Sequence, residues 1–243
     1  MKLLSDRGQG SPLALVCALM CDEELFAGQA DRLARRRRLL IFQSEGEESV
    51  RECAIELLAM LGALGLRRFD LGGLSLGGSV VMAAAARCPS AVKRLLLLDT
   101  TCEAPGAEAV AARREVIRRL EEGRFEQVME EFLPRLLAPQ SLRDHGERVR
   151  AMFRRQAPGL FVRQLRLLLT REDMGGTLRA FAGPALCLCG AQDQMSTPAD
   201  HRRMAELMPA ASLVVVPGNC GHLSALESPR LVAEAMEDFL GEV

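Results

Sequence analysis

Three side chains of this chain have the types and the order needed for nucleophilic catalysis. Ser75 lies in Gly73-Leu74-Ser75-Leu76-Gly77-Gly78, Asp193 in Gly190-Ala191-Gln192-Asp193, and His222 in Gly218-Asn219-Cys220-Gly221-His222-Leu223-Ser224. A serine hydroxyl is a poor nucleophile at neutral pH. It needs a base within hydrogen-bond reach, and that base needs a partner that orients it. Small residues around Ser75 would let a sharp turn hold the serine between a strand and a helix. The free N–H groups at the start of that helix could stabilise an oxyanion. The alternative is a tight turn without chemistry. Phosphate-binding loops fit less well, since no lysine follows the glycines and the spacing is not Gly-x-Gly-x-x-Gly. Asp99 is a rival acid, because it too follows a strand-like run.

The elements around these residues alternate. Apolar runs at Leu13–Leu19, Leu39–Phe42, Arg68–Leu74, Val92–Leu98, Ala185–Cys189 and Leu213–Val216 read as buried strands. A further short strand could lie within residues 1–5. Helical patterns separate the runs, as at Val50, Cys53, Ala54, Leu57, Leu58 and Leu61. Near the end of the chain, Ser228 is expected to cap a helix that has Pro229 in its first turn. Alternation of this kind predicts an α/β fold, a mostly parallel sheet of about six strands with helices on both faces. No strand-like run appears between residues 101 and 181. That block reads as a helical insertion broken by Pro134, Pro139, Pro158 and Gly175-Gly176, placed at the carboxyl side of the sheet to act as a lid. The division expected is a core of residues 1–100 and 182–243 with a lid of 101–181.

With 243 residues the chain is long enough for one large core, and its net charge of −1 gives no field favouring nucleic acid or an anionic membrane. Its apolar stretches fall short of a membrane span. The first ten residues carry no apolar signal core, so a soluble, cytoplasmic protein is expected. The eight cysteines mostly sit in apolar runs, where free thiols pack as small hydrophobes. Their spacing builds no metal site with the three histidines. Arg35–Arg38 reads as a solvated helix end, and Glu227 as a helix-start carboxylate beside Ser228.

Taken together, Gly-Leu-Ser-Leu-Gly-Gly at 73–78, Leu-Leu-Leu-Leu-Asp-Thr at 95–100, Gly-x-x-Asp at 190–193 and Gly-His-Leu-Ser-x-Leu-Glu-x-Pro at 221–229 resemble the α/β-hydrolase-fold serine hydrolases over nearly the whole chain. Within them the chain looks closest to small bacterial carboxylesterases of the type that hydrolyse pimeloyl-carrier-protein methyl ester. The stretch from Leu19 to Phe26 is similar to a segment of related uncharacterised hydrolases. The resemblance implies Ser75 as nucleophile, His222 as base and Asp193 as its orienter. It implies the backbone N–H groups of Leu76 and Leu19 as oxyanion donors. Cys17-Ala18 stands where the family has His-Gly. That departure matters if the backbone there needs a glycine-only conformation.

The expected reaction is acyl transfer to water from a carboxylic ester or thioester with an apolar part, with no metal or organic cofactor. A carbon–carbon bond hydrolase or lactonase with the same triad is an alternative, since fold does not choose among them. A catalytically silent binding protein on the same fold is another. The rate should rise with pH as the base loses its proton, near pH 6.5 for an ordinary histidine.

Overall fold

A continuous apolar run has no polar face to offer to water, so it is stable only when covered on both sides. The computed structural model, which describes residues 1–241, collects these runs in one seven-stranded sheet. The strands are β1 (Lys2–Arg7), β2 (Ser11–Val16), β3 (Arg37–Gln43), β4 (Phe69–Leu74), β5 (Val92–Leu98), β6 (Ala185–Gly190) and β7 (Ala211–Val216). Their order is β1-β3-β2-β4-β5-β6-β7, with β1 antiparallel to β3 and every other pair parallel. The short strand foreseen within residues 1–5 is β1, and it makes the count seven. From β2 the chain first crosses to β3 on one side and then returns to β4 on the other. The carboxyl ends of β2 and β4 therefore flank the point where the strand order reverses, the usual ligand crevice of an open parallel sheet.

The helices are α1 (Ala27–Leu33), α2 (Val50–Ala63), α3 (Leu76–Arg87), α4 (Ala107–Glu121), α5 (Phe125–Leu136), α6 (Pro139–Arg155), α7 (Pro158–Leu169), α8 (Gly175–Ala180), α9 (Pro198–Leu207), α10 (Ser224–Glu227) and α11 (Pro229–Leu240). Helices cover both faces of the sheet, and all six residues of β4 are buried. Local signals start several of them. Ser49 caps α2 by accepting from the N–H of Glu52 at 3.1 Å, and Thr197 and Asp200 form a reciprocal capping box at α9. Five helices, α4 to α8, occupy the stretch between β5 and β6. No helix among the described residues is long and apolar enough to cross a membrane.

Four local expectations are corrected. The apolar run Leu13–Leu19 is strand only as far as Val16. Beyond it the chain turns back, with the N–H of Cys21 donating to Ala18 O at 3.1 Å. Pro134 does not break the insertion; it lies inside α5, while Pro139 begins α6. Arg35–Arg38 is not uniformly solvated. Arg37 begins β3 and is buried against Asp70 and the carbonyl of Leu240, and Arg38 pairs with Asp6 at 2.7 Å. Ser228 precedes α11, but its side chain makes no capping hydrogen bond.

Candidate active site

Ser75 sits between β4 and α3 with φ 55° and ψ −111°, a backbone region that L-residues rarely occupy. Its neighbours hold it there. The Ser75 N–H donates to Leu98 O at 3.0 Å, and the Thr100 hydroxyl donates to Ser75 O at 2.9 Å. The surrounding glycines are needed for approach rather than for unusual dihedral angles. A Cβ on Gly77 would lie 2.1 Å from the carbonyl oxygen of Val16, and one on Gly73 would lie 2.3 Å from the backbone of Gly77. The turn is thus wedged between β2 and the start of its own helix.

Asp193 and His222 follow β6 and β7, and the fold brings both to the serine. His222 Nε2 lies 2.8 Å from Ser75 Oγ, and His222 Nδ1 lies 3.0 and 2.9 Å from the two oxygens of Asp193. The hydroxyl can donate to the imidazole, which in turn donates to the carboxylate. Burial pushes the Asp193 carboxyl up. The His222 ring and the N–H groups of Ser196 and Met195 outweigh it and hold the carboxyl below the usual carboxylate range.

The rival acid goes elsewhere. Asp99 is fully buried and accepts from the Ser224 hydroxyl at 2.5 Å, the Ser224 N–H at 3.0 Å and the Gly190 N–H at 3.2 Å. Burial, and then the nearby charge of Asp193, push its carboxyl well above the usual range. Asp99 therefore ties the end of β6, which leads to Asp193, to the loop bearing His222, and its carboxylate makes no hydrogen bond to Ser75 or the imidazole.

Leu76 is the first residue of α3, so its N–H has no partner within the helix. Across the crevice, Ala18 and Leu19 line the same cavity as Ser75 and His222. The left-handed backbone of this loop falls on Met20, with φ 58°, and not on Ala18. An alanine at position 18 is therefore compatible with the turn. The residue that fixes the turn is Gln164 on α7, which sequence reasoning missed. Its side-chain oxygen accepts from the Met20 N–H at 2.7 Å, and its amide donates to Ser44 O at 2.7 Å.

Glu227 was missed in the same way. Read from the sequence only as a helix-start carboxylate, it is buried and accepts from the N–H groups of Ala138, Gly221 and Leu223 at 2.9, 2.9 and 3.0 Å. Burial nevertheless leaves its carboxyl raised overall. The His222 N–H donates to Leu136 O at 2.9 Å, and the Ser141 hydroxyl donates to Asn219 O at 2.8 Å. The histidine loop is thus fastened to the junction of α5 and α6. No signal short of the tertiary contacts identifies either residue.

Above Ser75 lies a cavity of about 300 Å³. Its walls are mainly the inner faces of α4, α5 and α7, with Ala109, Val116, Phe132, Leu165 and Leu168 among the apolar residues. No group of three or more potential metal ligands occurs among the described residues.

The profile of the alpha/beta hydrolase family matches residues 7–235. The chain belongs to that family. Among its relatives is a pimeloyl-[acyl-carrier protein] methyl ester esterase of Nitrosomonas europaea, 26% identical over 236 residues and covering 92% of this chain and 93% of the relative. Another is 3-oxoadipate enol-lactonase 2 of Acinetobacter baylyi, 24% identical over 194 residues and covering 79% of this chain and 71% of the relative. A thermophilic esterase from Thermogutta terrifontis, described in a malate-bound form, superposes with a TM-score of 0.89 at 29% identity over 98% of this chain and 92% of that one.

Proposed function

We propose that this hydrolase cleaves a carboxylic ester through an acyl-enzyme formed on Ser75. The hydrogen-bonded series Ser75 Oγ–His222–Asp193, at the floor of an apolar cavity, carries the reading. In it, Ser75 Oγ attacks the acyl carbon while His222 Nε2 takes its proton. Asp193 keeps Nδ1 protonated and Nε2 free, and it stabilises the imidazolium that forms. In this reading the tetrahedral oxyanion accepts from the backbone N–H groups of Leu76 and Leu19. His222 then gives its proton to the leaving alkoxide. Water deacylates the serine by the same steps in reverse.

The helical insertion acts as the lid and acyl-chain wall, so the substrate is a small ester with an apolar part. Thioesters fall within the same mechanism. A lactone is the second reading, favoured by the likeness to the Acinetobacter baylyi enol-lactonase; it is the same acyl transfer on an internal ester. Eight unpaired cysteines accord with a reducing compartment such as the cytoplasm.

A fluorophosphonate probe tests the nucleophile. Stoichiometric labelling at Ser75, absent in Ser75→Ala, is expected. Failure of the folded wild-type protein to label would leave the fold as a silent binding scaffold.

A further inference from the structure

The cavity wall contains an anomaly. On α4, Ala109, Ala112, Arg113 and Val116 line the cavity at the spacing of one helical stripe. Ala109 and Ala112 are exposed and Arg113 and Val116 half-buried, so this side of the cavity is open to solvent, and it carries a guanidinium. Arg135 lines the same cavity from α5, one turn beyond Phe132, with its guanidinium 5.7 Å from the centre of that ring. Arg171, just past the end of α7, completes the group.

These three arginines have no carboxylate within ion-pair distance among the described residues, unlike others nearby. On the outer side of α4, Arg118 pairs with Glu115 at 2.6 Å and Arg119 with Glu131 at 2.6 Å. The two carboxylates that line the cavity, Glu103 and Asp200, both turn to Arg203. Arg171 donates only to the backbone carbonyls of Thr101 and Glu103, at 3.2 and 2.5 Å. Arg113 Nη1 is buried with no hydrogen-bond partner at all. Burial, and then the charge of Arg113, push the Arg171 guanidinium down to about 10. Burial, then Arg135, lower Arg113. Arg113 and Arg171 are partly buried and Arg135 is exposed; partly buried like charges with one donor unmet are costly to folding unless an anion completes them.

We infer that Arg113, Arg135 and Arg171 form an anion-holding subsite of the acyl pocket, so that the substrate carries a carboxylate or phosphate at the end of a short apolar chain remote from the scissile ester. This rests on the hydrolase reading above and names its substrate class. Guanidinium forks bind such groups bidentately, and apolar residues of the cavity such as Phe132 and Leu165 line the way for the intervening chain. An anion seated there would orient the ester on Ser75, so its binding energy is realised at the reacting bond.

The test compares monomethyl half-esters of six- to eight-carbon dicarboxylic acids with methyl alkanoates of equal length. The expected kcat/KM is at least about tenfold higher for the half-esters, the size of one good charge-assisted contact. In Arg113→Gln that ratio should fall roughly tenfold, while Arg113→Lys keeps part of it. Hexyl phosphate inhibiting neutral-ester hydrolysis better than hexanoate would assign the subsite to phosphates; the reverse assigns it to carboxylates. Equal rates for half-esters and neutral esters, or a ratio unmoved by Arg113→Gln, would overturn the inference and leave the esterase intact. Binding by Ser75→Ala separates the two readings. If adipate raises its thermal midpoint more than hexanol does, the subsite stands even where no ester is turned over. If adipate gives no greater rise, the subsite fails whatever the esterase result.

Discussion

Two buried aspartates lie beside the same pair of loops, and their surroundings shift them in opposite directions. Asp193 faces the imidazole and two N–H donors, which outweigh burial and keep it charged. Asp99 also accepts from two N–H groups and a hydroxyl, but burial and then the charge of Asp193 outweigh them and favour its neutral form. Their substitutions should therefore fail differently. Asp193→Ala removes the carboxylate beside His222 Nδ1 and, on the proposed mechanism, should lower kcat by about 10³–10⁴-fold. Asp99→Ala leaves the N–H groups of Gly190 and Ser224 unmet, which costs about 1–3 kcal/mol for each group and lowers the unfolding midpoint. The sign of the pH dependence follows from linkage. A carboxyl whose folded value is raised binds more protons when folded, so the wild type loses stability as pH rises above the ordinary aspartate value of about 4. The deficit of Asp99→Ala should then narrow between acidic and neutral pH. Thermal melts of both proteins across that range check it, and a deficit that widens would mean that Asp99 is charged in the folded state.

At the level of elements, the insertion positions residues as well as covering them. α7 reaches the loop after β2 through Gln164, and the junction of α5 and α6 grips the histidine loop through Glu227, Leu136 and Ser141. Movement of these helices relative to the sheet is therefore limited at these two points. Gln164→Ala would free the Met20 N–H and loosen the turn that carries Leu19, the proposed oxyanion donor. Steady-state kinetics should show kcat reduced roughly tenfold with KM little changed, a fraction of what a lost oxyanion donor costs. A change confined to KM would place Gln164 in substrate binding instead. The close glycines show the same dependence between elements, since the Ser75 turn can form only because Gly77 lets α3 touch the end of β2.

For the molecule as a whole, the core is large enough to keep its thiols from solvent without cross-links. All eight cysteines are free, seven are buried, and Cys88 alone is exposed. Burial raises Cys187 and Cys220 to about 12, away from the reactive thiolate. A thiol reagent should titrate one group in the native protein and all eight in denaturant. Rapid native reaction of several thiols would mean that the core opens far more readily than its packing implies.

What the sequence determined by itself was everything that depends on neighbours in the chain. Apolar runs marked the strands, the glycine spacing marked the Ser75 turn, and the order of Ser75, Asp193 and His222 at three strand ends marked a candidate triad. Such patterns report backbone period and turn geometry, which are local. The tertiary structure sets Asp193, which the Gly-x-x-Asp context already implied, against the imidazole, and ties the rival Asp99 to Ser224 instead. It alone decided that Arg37 and Glu227 are buried, that Gln164 holds a turn far away in sequence, and that Arg113, Arg135 and Arg171 face one cavity. A buried polar group is stable only when its partners are met, and those partners come from segments that the chain brings together only on folding.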